Sequence, residues 1–338
     1  MKTLGIGIIG CGKIAQVRHI PEYAENPRTE IVGYYDCNRE RAEQLAARYG
    51  GEVFSSPEEL LACSLIDAVS ICTTNSTHAS LSIAALRAGK HVLCEKPMAV
   101  TLEECELMAQ ESRDAKRHLL VAHNQRLWTL HKKAKQLLDC GAIGKPISFK
   151  TSFEHSGPDF WSVDRGSKTW FFDKNKSAFG AMADLGIHKL DLMRFLLDSD
   201  IKEVLAMMGT LDKKNPSGAP IAIEDNALAL YRMENGVMGT VSASWTCYGK
   251  ENNDTTIYGT EGCLKIRADK NTVTVIKSNE ETATYHLPAQ NNSGIIDAFA
   301  ETILDGTPTL SDAETILPSM KALFATFEAA DSGKRINL

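Results

Sequence analysis

Near its N-terminus the chain reads Ile6-Gly7-Ile8-Ile9-Gly10-Cys11-Gly12-Lys13-Ile14-Ala15, a short apolar run that leads directly into closely spaced glycines. A strand followed by Gly-x-Gly-x-x-Ala is typical of the first βαβ unit of a dinucleotide-binding domain. In this pattern Gly10 makes the tight turn, Gly12 lets the backbone approach a pyrophosphate, and Ala15 allows close helix–strand packing. The helix start, at Lys13 and Ile14, directs N–H groups towards the phosphates. We therefore expect this loop to bind a dinucleotide.

An acidic residue stands at the matching distance beyond the glycines. Asp36 ends the apolar run 31–35, about 20 residues further on, where such a carboxylate accepts hydrogen bonds from the adenosine ribose. A carboxylate at this position repels the 2′-phosphate of NADP, so Asp36 favours NAD. Arg39 and Arg41 follow closely and keep NADP as the less favoured alternative, because an arginine beside this loop can hold the additional phosphate.

The composition is that of a soluble enzyme. The chain has 338 residues, of which 43% are hydrophobic and 24% charged, and a net charge of −6. Scattered lysines and arginines argue against a nucleic-acid surface, and no apolar stretch reaches the roughly 18 residues of a membrane span. Nine cysteines without a C-x-x-C pair indicate reduced thiols rather than disulfides or a metal site. With no signal-peptide pattern at the N-terminus, we expect a cytoplasmic protein.

The first third of the chain alternates predicted strands and helices, which indicates an α/β fold with a doubly wound parallel sheet. Capping boxes begin predicted helices at Ser56 and Thr101, and a last short strand covers residues 119–123. We expect residues 1–123 to form a Rossmann-type NAD(P)-binding domain.

The pattern changes in residues 124–338, which we expect to form an α+β domain for substrate binding and oligomerisation. Predicted helices at 128–139 and 182–197 flank a strand at 146–155 and an irregular stretch at 156–176. Seven strand-like runs between residues 202 and 286 then predict an open, mostly antiparallel meander. Two amphipathic helices close the chain, the second capped by Ser311-x-x-Glu314. An apolar sheet face that nothing covers predicts a homodimer or homotetramer.

Three clusters carry residue types that suit chemistry. Open α/β sheets bind ligands beyond the carboxyl ends of their strands, and Glu95-Lys96-Pro97 lies at such an end, as does the segment 73–78. Asp184 and His188 stand at i and i+4, so on a helix they share one face. Lys96, Asp184 and His188 would supply a cation, an acceptor and a base to one pocket where the two domains meet.

In these motifs the chain resembles the glucose–fructose oxidoreductase, inositol dehydrogenase and MocA-like (Gfo/Idh/MocA) oxidoreductases over nearly its whole length. The resemblance implies hydride transfer between NAD or NADP and a secondary hydroxyl of a sugar, inositol or related polyol. It also implies that Lys96 and His188 are the catalytic pair, with Asp184 binding substrate beside them. The chain departs from the family at Phe179, which stands in a run that is often glycine. The motifs are Gly10-x-Gly12-x-x-Ala15, Asp36, Thr74-Asn75-x-x-His78, Gly89-Lys90-His91-Val92, Glu95-Lys96-Pro97, Asn124-Gln125-Arg126, Asp184-x-Gly186-x-His188 and Gly259-Thr260-Glu261-Gly262.

Further contacts are expected from residues near these clusters. Each has a structural alternative: His188 could be an ordinary helix histidine, Asp184 a helix-terminal acid and Lys96 a solvated lysine. Cofactor contacts are expected from Thr73, Thr74, Asn75, His78, Glu95, Lys96 and Asn124. Substrate contacts are expected from Lys96, Arg126, His155, Trp161, Arg165, Trp170, Asp184 and His188.

Three functions fit these residues. The first is an NAD-dependent dehydrogenase of sugars or polyols, with His188 as base and Lys96 stabilising the alkoxide. The second is a glycoside-processing enzyme that oxidises a ring hydroxyl transiently and returns the hydride, with no net redox change. The third is a non-catalytic nucleotide sensor on the same fold, against which the presence of Lys96, Asp184 and His188 counts.

Overall fold

A computed structural model of the protein describes residues 3–338, and in its first third strands and helices alternate. The strands are short and apolar, as is usual where a strand is buried on both faces. A π-helical turn, Ala15–His19, joins the loop after the first strand to the first α-helix. The strands are β1 (Leu4–Ile9), β2 (Thr29–Tyr35), β3 (Glu52–Val53), β4 (Ala68–Ile71), β5 (His91–Cys94) and β6 (Leu119–Val121); the helices are α1 (Ile20–Glu25), α2 (Arg39–Tyr49), α3 (Pro57–Ala62), α4 (His78–Arg87) and α5 (Leu102–Ala115).

The rest of the chain contains longer strands with alternating burial, followed by two helices. A second π-helical turn, Met182–Gly186, leads into α9. The helices are α6 (Thr129–Asp139), α7 (Pro158–Trp161), α8 (Lys174–Ser177), α9 (Ile187–Leu197), α10 (Ile295–Asp305) and α11 (Ala313–Ser332); the strands are β7 (Pro146–Glu154), β8 (Ile201–Gly209), β9 (Asn226–Met233), β10 (Met238–Ser244), β11 (Thr255–Gly259), β12 (Gly262–Arg267), β13 (Thr272–Lys277), β14 (Thr282–His286) and β15 (Ile336–Asn337).

The chain divides into two compact units. The first comprises Met1–Asn124 and Asn292–Leu317, and the second Gln125–Asn291 and Pro318–Leu338. Residues 292–317 thus pack with the first unit, although the sequence prediction placed them in the second domain. The assignment of one domain to the cofactor and the other to substrate stays a prediction. No helix within residues 3–338 has both the length and the apolar character needed to cross a membrane.

The first unit contains a six-stranded sheet in the order β3-β2-β1-β4-β5-β6. All its pairings are parallel, which confirms the predicted doubly wound sheet. The strand order reverses between β1 and β4, so the loops after β1, β4 and β5 lie at one sheet edge beside the topological switch point. The glycine loop and Glu95-Lys96-Pro97 therefore belong to the same edge.

The second unit contains a nine-stranded sheet in the order β14-β13-β12-β11-β7-β10-β9-β8-β15. The prediction of a mostly antiparallel sheet is confirmed, but the sheet is not a simple meander. β7 lies between β10 and β11, parallel to the former and antiparallel to the latter. α9 packs against β7, and α6 against β12 and β13. The early strand β7 is thus inserted at the centre, where a helix covers it.

The helix N-caps show where the local sequence is sufficient to predict the structure. Ser56 and Thr101 each accept a backbone N–H from the third residue of the following helix, as predicted. The predicted cap at Ser311 is wrong, because Asp312 accepts the backbone N–H of Thr315 at 3.0 Å. The backbone carbonyl of Ser311 instead accepts the N–H of Val121 at 2.8 Å. A long-range backbone bond therefore positions Ser311 before the helix, and the next polar residue forms the cap.

Glu224 holds the backbone where the helical segment leading into α9 begins. Its Oε1 accepts the N–H groups of Gly180 at 2.9 Å and Met182 at 3.1 Å. A Cβ at Gly180 would lie 1.7 Å from the carbonyl oxygen of Glu224, so glycine is required there. Burial raises the pKa of the Glu224 carboxyl to about 7, although its N–H donors act in the opposite direction.

Replacing Glu224 with Gln should alter the pH dependence of stability. The ordinary pKa of this carboxyl is 4.5 and its pKa in the folded protein is about 7. Its contribution to stability is therefore complete below pH 4.5 and is lost as pH rises through 7. We expect the unfolding free energy of Glu224→Gln, measured by urea denaturation, to rise relative to the unmodified protein between pH 5 and pH 8. The exposed Glu234→Gln serves as control, and a pH-independent difference would contradict the expectation.

Candidate active site

The loop after β1 has the geometry of a phosphate-binding turn. Gly10 has φ +93°, and a Cβ there would lie 2.6 Å from the carbonyl group of Cys72. A Cβ on Gly12 would meet only the Cys72 oxygen at 3.9 Å, so the backbone at Gly12 leaves room for a close ligand. Lys13 and Ile14 are half-buried in the same loop. This arrangement fits the pyrophosphate of a dinucleotide.

Asp36 is bound to the glycine loop through its carboxylate. Its Oδ2 accepts the backbone N–H of Cys11 at 2.6 Å, and its Oδ1 accepts that of Asn38 at 2.7 Å. The Nη1 atom of Arg41 lies 3.9 Å from Oδ1, whereas Arg39 forms a surface ion pair along α2. The Asp36 carboxylate is therefore held in place next to the loop, with one arginine beside it.

The residues after β4 form another part of this edge. Thr73 and Thr74 follow the strand, and Asn75 is buried at the start of a 3₁₀ turn. The Nδ1 atom of His78 lies 2.8 Å from the carbonyl oxygen of Pro97, and its Nε2 lies 3.3 Å from that of Thr73. Burial lowers the pKa of His78. Both ring nitrogens thus face backbone carbonyls, so His78 braces two loops and we leave it out of the proposed cofactor site.

Glu95 is buried directly after β5. Its Oε1 lies 3.0 Å from Nε2 of His19, and its Oε2 accepts the backbone N–H of Lys96 at 3.1 Å. Burial alone would raise the pKa of Glu95, but the hydrogen bond and the charge of His19, together with the charges of Arg18 and Lys96, hold that pKa at about 2. Glu95 is therefore ionised, and Lys96 beside it is half-buried.

Two predicted residues near residue 125 lie in buried positions. Asn124 is 2% exposed and follows the short strand β6. Arg126 is 5% exposed, and its guanidinium donates two hydrogen bonds of 2.7 Å to the carboxylate of Asp191. This bidentate pair gives Arg126 a structural role in the second unit, so we leave it out of the proposed substrate site.

Asp184 and His188 lie on either side of the junction between the π-helical turn and α9. Both are nearly buried, at 6% and 7% exposure. The indole N–H of Trp245 donates to Oδ2 of Asp184 at 3.0 Å, and the ring of Phe153 lies 5.9 Å from that of His188. Trp245 therefore orients the Asp184 carboxylate.

A series of aromatic contacts runs from Phe153 through the irregular segment. His155 lies 5.9 Å from Phe153 and 6.4 Å from Trp161, measured between ring centroids. Trp161 lies 5.3 Å from Phe171, and Phe171 lies 6.3 Å from the indole that binds Asp184. Rings in this series therefore reach both residues of the Asp184/His188 pair within the second unit.

The same series includes one more predicted residue. Trp170 stacks on Phe171 with a centroid distance of 3.9 Å. Arg165 is exposed immediately before the turn Gly166–Lys168. The structure thus brings His155, Trp161 and Trp170 into one aromatic cluster and leaves Arg165 at the surface.

The departure from the family pattern at Phe179 is explained by packing. Phe179 stacks on Phe327 of α11 at 4.2 Å and contacts Phe324 at 6.0 Å. The residue that has to be glycine, because a Cβ would clash with the backbone of Glu224, is the next one along the chain, Gly180. The bulky ring is thus accommodated against a helix.

Sequence reasoning missed three residues that position others in these two groups. His19 binds Glu95, Glu224 binds the start of the Asp184 segment, and Trp245 binds Asp184 itself. His19 stands one helical turn after Ala15 and could have been noticed for that reason. No local pattern distinguishes Glu224, which precedes β9, or Trp245, which follows β10, from its neighbours in the sequence.

The sequence matches known families in both halves. Residues 4–123 match a family described as oxidoreductases with an NAD-binding Rossmann fold. Residues 131–265 match the GFO/IDH/MocA C-terminal domain.

Individual proteins show the same similarity. Levoglucosan dehydrogenase of Pseudarthrobacter phenanthrenivorans is 30% identical over 299 residues, which cover 80% of this chain and 75% of that protein. Glucose-6-phosphate 3-dehydrogenase of Bacillus subtilis is 31% identical, over 71% of this chain and 67% of that protein. A solved levoglucosan dehydrogenase in complex with NADH and levoglucosan has a TM-score of 0.88 at 24% identity, covers 99% of each chain, and shares the fold. The glycine loop, the segment at Lys96 and these matches together show that the chain is an NAD-binding oxidoreductase of the Gfo/Idh/MocA family.

Proposed function

We propose that the protein is an NAD-dependent dehydrogenase that oxidises a secondary hydroxyl of a sugar, inositol or related polyol. The observation that carries this proposal is the position of Lys96, which follows β5 at the same sheet edge as the glycine loop after β1. Ligands of open parallel sheets bind at that edge, so a cation there stands where cofactor and substrate would meet. The two relatives named above are sugar dehydrogenases by name, which supports this substrate class.

The proposed mechanism follows from charge. The hydroxyl proton has to leave together with the hydride, since otherwise a cation would develop at carbon. We assign proton acceptance to His188, because an ordinary imidazole titrates near ~6.5 and accepts a proton near neutral pH. Lys96 stabilises the developing alkoxide, while Asp184, oriented by Trp245, accepts a hydrogen bond from a neighbouring hydroxyl. NAD, when bound, supplies the hydride acceptor.

The aromatic cluster of the second unit provides the proposed substrate wall. Sugar rings present C–H faces that pack on aromatic rings, and Trp161 and Trp170 are both half-buried there. His155, between Phe153 and Trp161, adds a polar edge to the same wall. The predicted contact of Arg165 with substrate stays a prediction.

A substrate panel tests the reaction class. We expect NADH to form when the purified protein is mixed with NAD and one of levoglucosan, myo-inositol, a methyl glucoside or glucose 6-phosphate. Absorbance at the NADH band and product mass are followed together. Cleavage of the glucoside without accumulation of NADH would instead identify the redox-neutral glycoside-processing reaction. No reaction with any polyol would contradict the proposal.

Variants separate chemistry from cofactor binding. Lys96→Met and His188→Ala should lower kcat by roughly 10²–10⁴-fold, the usual contribution of a positioned acid–base group. The NAD dissociation constant should change only a few-fold, because neither residue is assigned to the adenosine half. His188→Ala should also lose the acidic limb of the pH–rate profile. Asp184→Ala should raise KM as well.

The control for these variants is His286→Ala, which changes an exposed histidine of the second unit. Its kcat should equal that of the unmodified protein. If both Lys96→Met and His188→Ala kept near-normal turnover on a substrate that the unmodified protein oxidises, the two residues would have structural rather than catalytic roles.

Asp36 should determine cofactor preference. We expect the unmodified protein to bind NAD roughly tenfold or more tightly than NADP, because a ribose hydrogen bond to a charged group is lost when the 2′-phosphate is present. Asp36→Ala should largely remove this preference, as measured by calorimetric titration of both cofactors. Asp36→Asn keeps an acceptor for the Cys11 N–H while losing the charge, so it separates loop support from charge repulsion. Tighter binding of NADP by the unmodified protein would disprove the assignment.

We also propose a homodimer or homotetramer formed through an outer apolar patch on β8 and β9. This patch consists of Leu205, Met207, Leu228 and Leu230, which are 41%, 79%, 63% and 55% exposed. They lie opposite one another as the pairs Leu205–Leu230 and Met207–Leu228. Such a contiguous apolar surface usually becomes an interface.

Light scattering at micromolar concentration should therefore give a multiple of the chain mass. Leu228→Lys should shift the protein towards the monomer, because a charge in an apolar interface is left without a partner. Leu65→Lys, at an isolated leucine that is 70% exposed, should leave the mass unchanged. A monomeric unmodified protein would refute the interface.

A further inference from the structure

Behind Lys96 the first unit contains a buried chain of polar side chains that the proposed mechanism does not use. Tyr23, Ser70 and His19 are fully buried, and Glu95 is 5% exposed. The hydroxyl of Tyr23 lies 2.9 Å from Oγ of Ser70, which lies 3.1 Å from Nδ1 of His19. The Nε2 atom of His19 lies 3.0 Å from Oε1 of Glu95. These hydrogen bonds thus join the helical segments after the glycine loop to the strand β4 and to the end of β5.

The chemistry of these groups sets the direction of two of these hydrogen bonds. An ionised carboxylate only accepts, so Nε2 of His19 carries a hydrogen and donates it. Burial raises the pKa of Tyr23 well above its ordinary range, so its hydroxyl keeps the proton. Among residues 3–338 that hydroxyl is partnered by Ser70. Tyr23 therefore donates to Ser70, and the Nε2–H of His19 donates to Glu95.

The imidazole ring of His19 is held at both of its nitrogens. Its Nε2 atom lies 3.0 Å from Glu95, and its Nδ1 atom lies 3.1 Å from Oγ of Ser70, which Tyr23 contacts from the other side at 2.9 Å. Because all four side chains are buried, the loss of one of these hydrogen bonds would leave a polar atom without a partner, which is costly. The orientation of the ring therefore depends on Ser70 and Tyr23 as well as on Glu95.

This series of hydrogen-bonded side chains ends at the backbone N–H of Lys96. The Oε2 atom of Glu95 accepts the N–H of Lys96 at 3.1 Å while His19 holds Oε1. A carboxylate that is held through both oxygens has little freedom to rotate. The peptide unit between Glu95 and Lys96 therefore has a set orientation, and so does the Cα–Cβ bond from which the lysine side chain extends.

The same chain keeps a negative charge close to Lys96. The charge of Lys96 contributes to holding the pKa of Glu95 low, so the two groups interact. Because the carboxylate is buried, salt screens this interaction only weakly. The buried chain thus supports both the direction of Lys96 and its charged environment.

We propose that His19 is a positioning residue for Lys96, acting through Glu95, and that Ser70 and Tyr23 hold the His19 ring in the orientation that reaches Glu95. This inference rests on the role assigned to Lys96 in the proposed function. His19 touches neither substrate nor cofactor in this scheme. Its loss lets the Glu95 carboxylate turn, so Lys96 is less often aligned with the reacting oxygen. The effect should fall on kcat more than on binding.

A double-mutant cycle tests this proposal on the panel substrate that the protein turns over fastest. His19→Leu should lower kcat roughly 10- to 100-fold, as expected for a lost hydrogen bond to a charged group. KM and the NAD dissociation constant, the latter measured by calorimetry, should change by no more than about threefold. In a Glu95→Gln background, His19→Leu should add no more than about twofold, because effects that pass through one shared group are not additive.

A conservative replacement and a matched pair of tyrosines complete the series. His19→Gln offers an amide N–H to Glu95 and a carbonyl to Ser70, so it should recover most of the kcat lost in His19→Leu. Tyr23→Phe should lower kcat about three- to tenfold, the usual range for one neutral hydrogen bond. Tyr34→Phe is the control, since Tyr34 is fully buried in the same unit and its hydroxyl has no hydrogen-bond partner among residues 3–338.

The outcomes distinguish this inference from the proposed function. Lys96→Met is measured in the same series, and if it retains turnover the proposed function itself is wrong. If Lys96→Met loses turnover while both His19→Leu and Tyr23→Phe retain it, only the role of His19 is wrong. The role of His19 would also be wrong if His19→Leu lowered kcat by the same factor with and without Glu95→Gln. Should His19→Leu fail to fold, the kcat values of Tyr23→Phe and Tyr34→Phe are compared instead. A lower kcat in Tyr23→Phe alone would support the role of His19, and equal values would overturn it.

Discussion

Backbone N–H groups outside regular helices and strands need acceptors when they are buried, and carboxylates meet this need in several loops of both units. Four of these acidic side chains bind the N–H groups of a loop or helix start in or near the segments described above. They pair as Asp36 with Cys11, Glu95 with Lys96, Glu224 with Gly180 and Met182, and Asp225 with Leu211, Asp212 and Lys213. The local conformations of both units depend on these bonds.

The surroundings of these carboxylates lead to different protonation behaviour. Burial pushes the pKa of Glu95, Glu224 and Asp225 upwards, so the outcome depends on the donors and charges that oppose it. Asp225 has three backbone N–H donors and the Asn226 amide, and its pKa is lowered. Glu95 has His19 and two cations nearby, and its pKa falls to about 2. Glu224 has two long-range N–H donors and lies beside the charge of Asp225, so burial prevails and its pKa rises to about 7.

The two units contribute different physical features. The first unit offers the open edge of a parallel sheet, where loops follow β1, β4 and β5 and where the buried charge of Glu95 lies beside Lys96. The second unit surrounds Asp184 and His188 with aromatic rings and holds Asp184 through an indole N–H. Phe179 shows that this second group tolerates a bulky neighbour, since the ring packs against α11.

The sequence by itself determined the elements and the parallel sheet of the first unit, because those depend on neighbours in the chain. A glycine at residue 10 permits φ +93°, and short apolar runs specify buried strands; even so, Asp312 replaced Ser311 as a cap once a long-range backbone bond positioned Ser311. Only the tertiary structure decided which side chains support the site. His19 and Glu95 are 76 residues apart, Trp245 and Asp184 61, and Glu224 and Gly180 44. Such contacts leave no periodic pattern in the sequence, because they depend on where folding brings distant segments together.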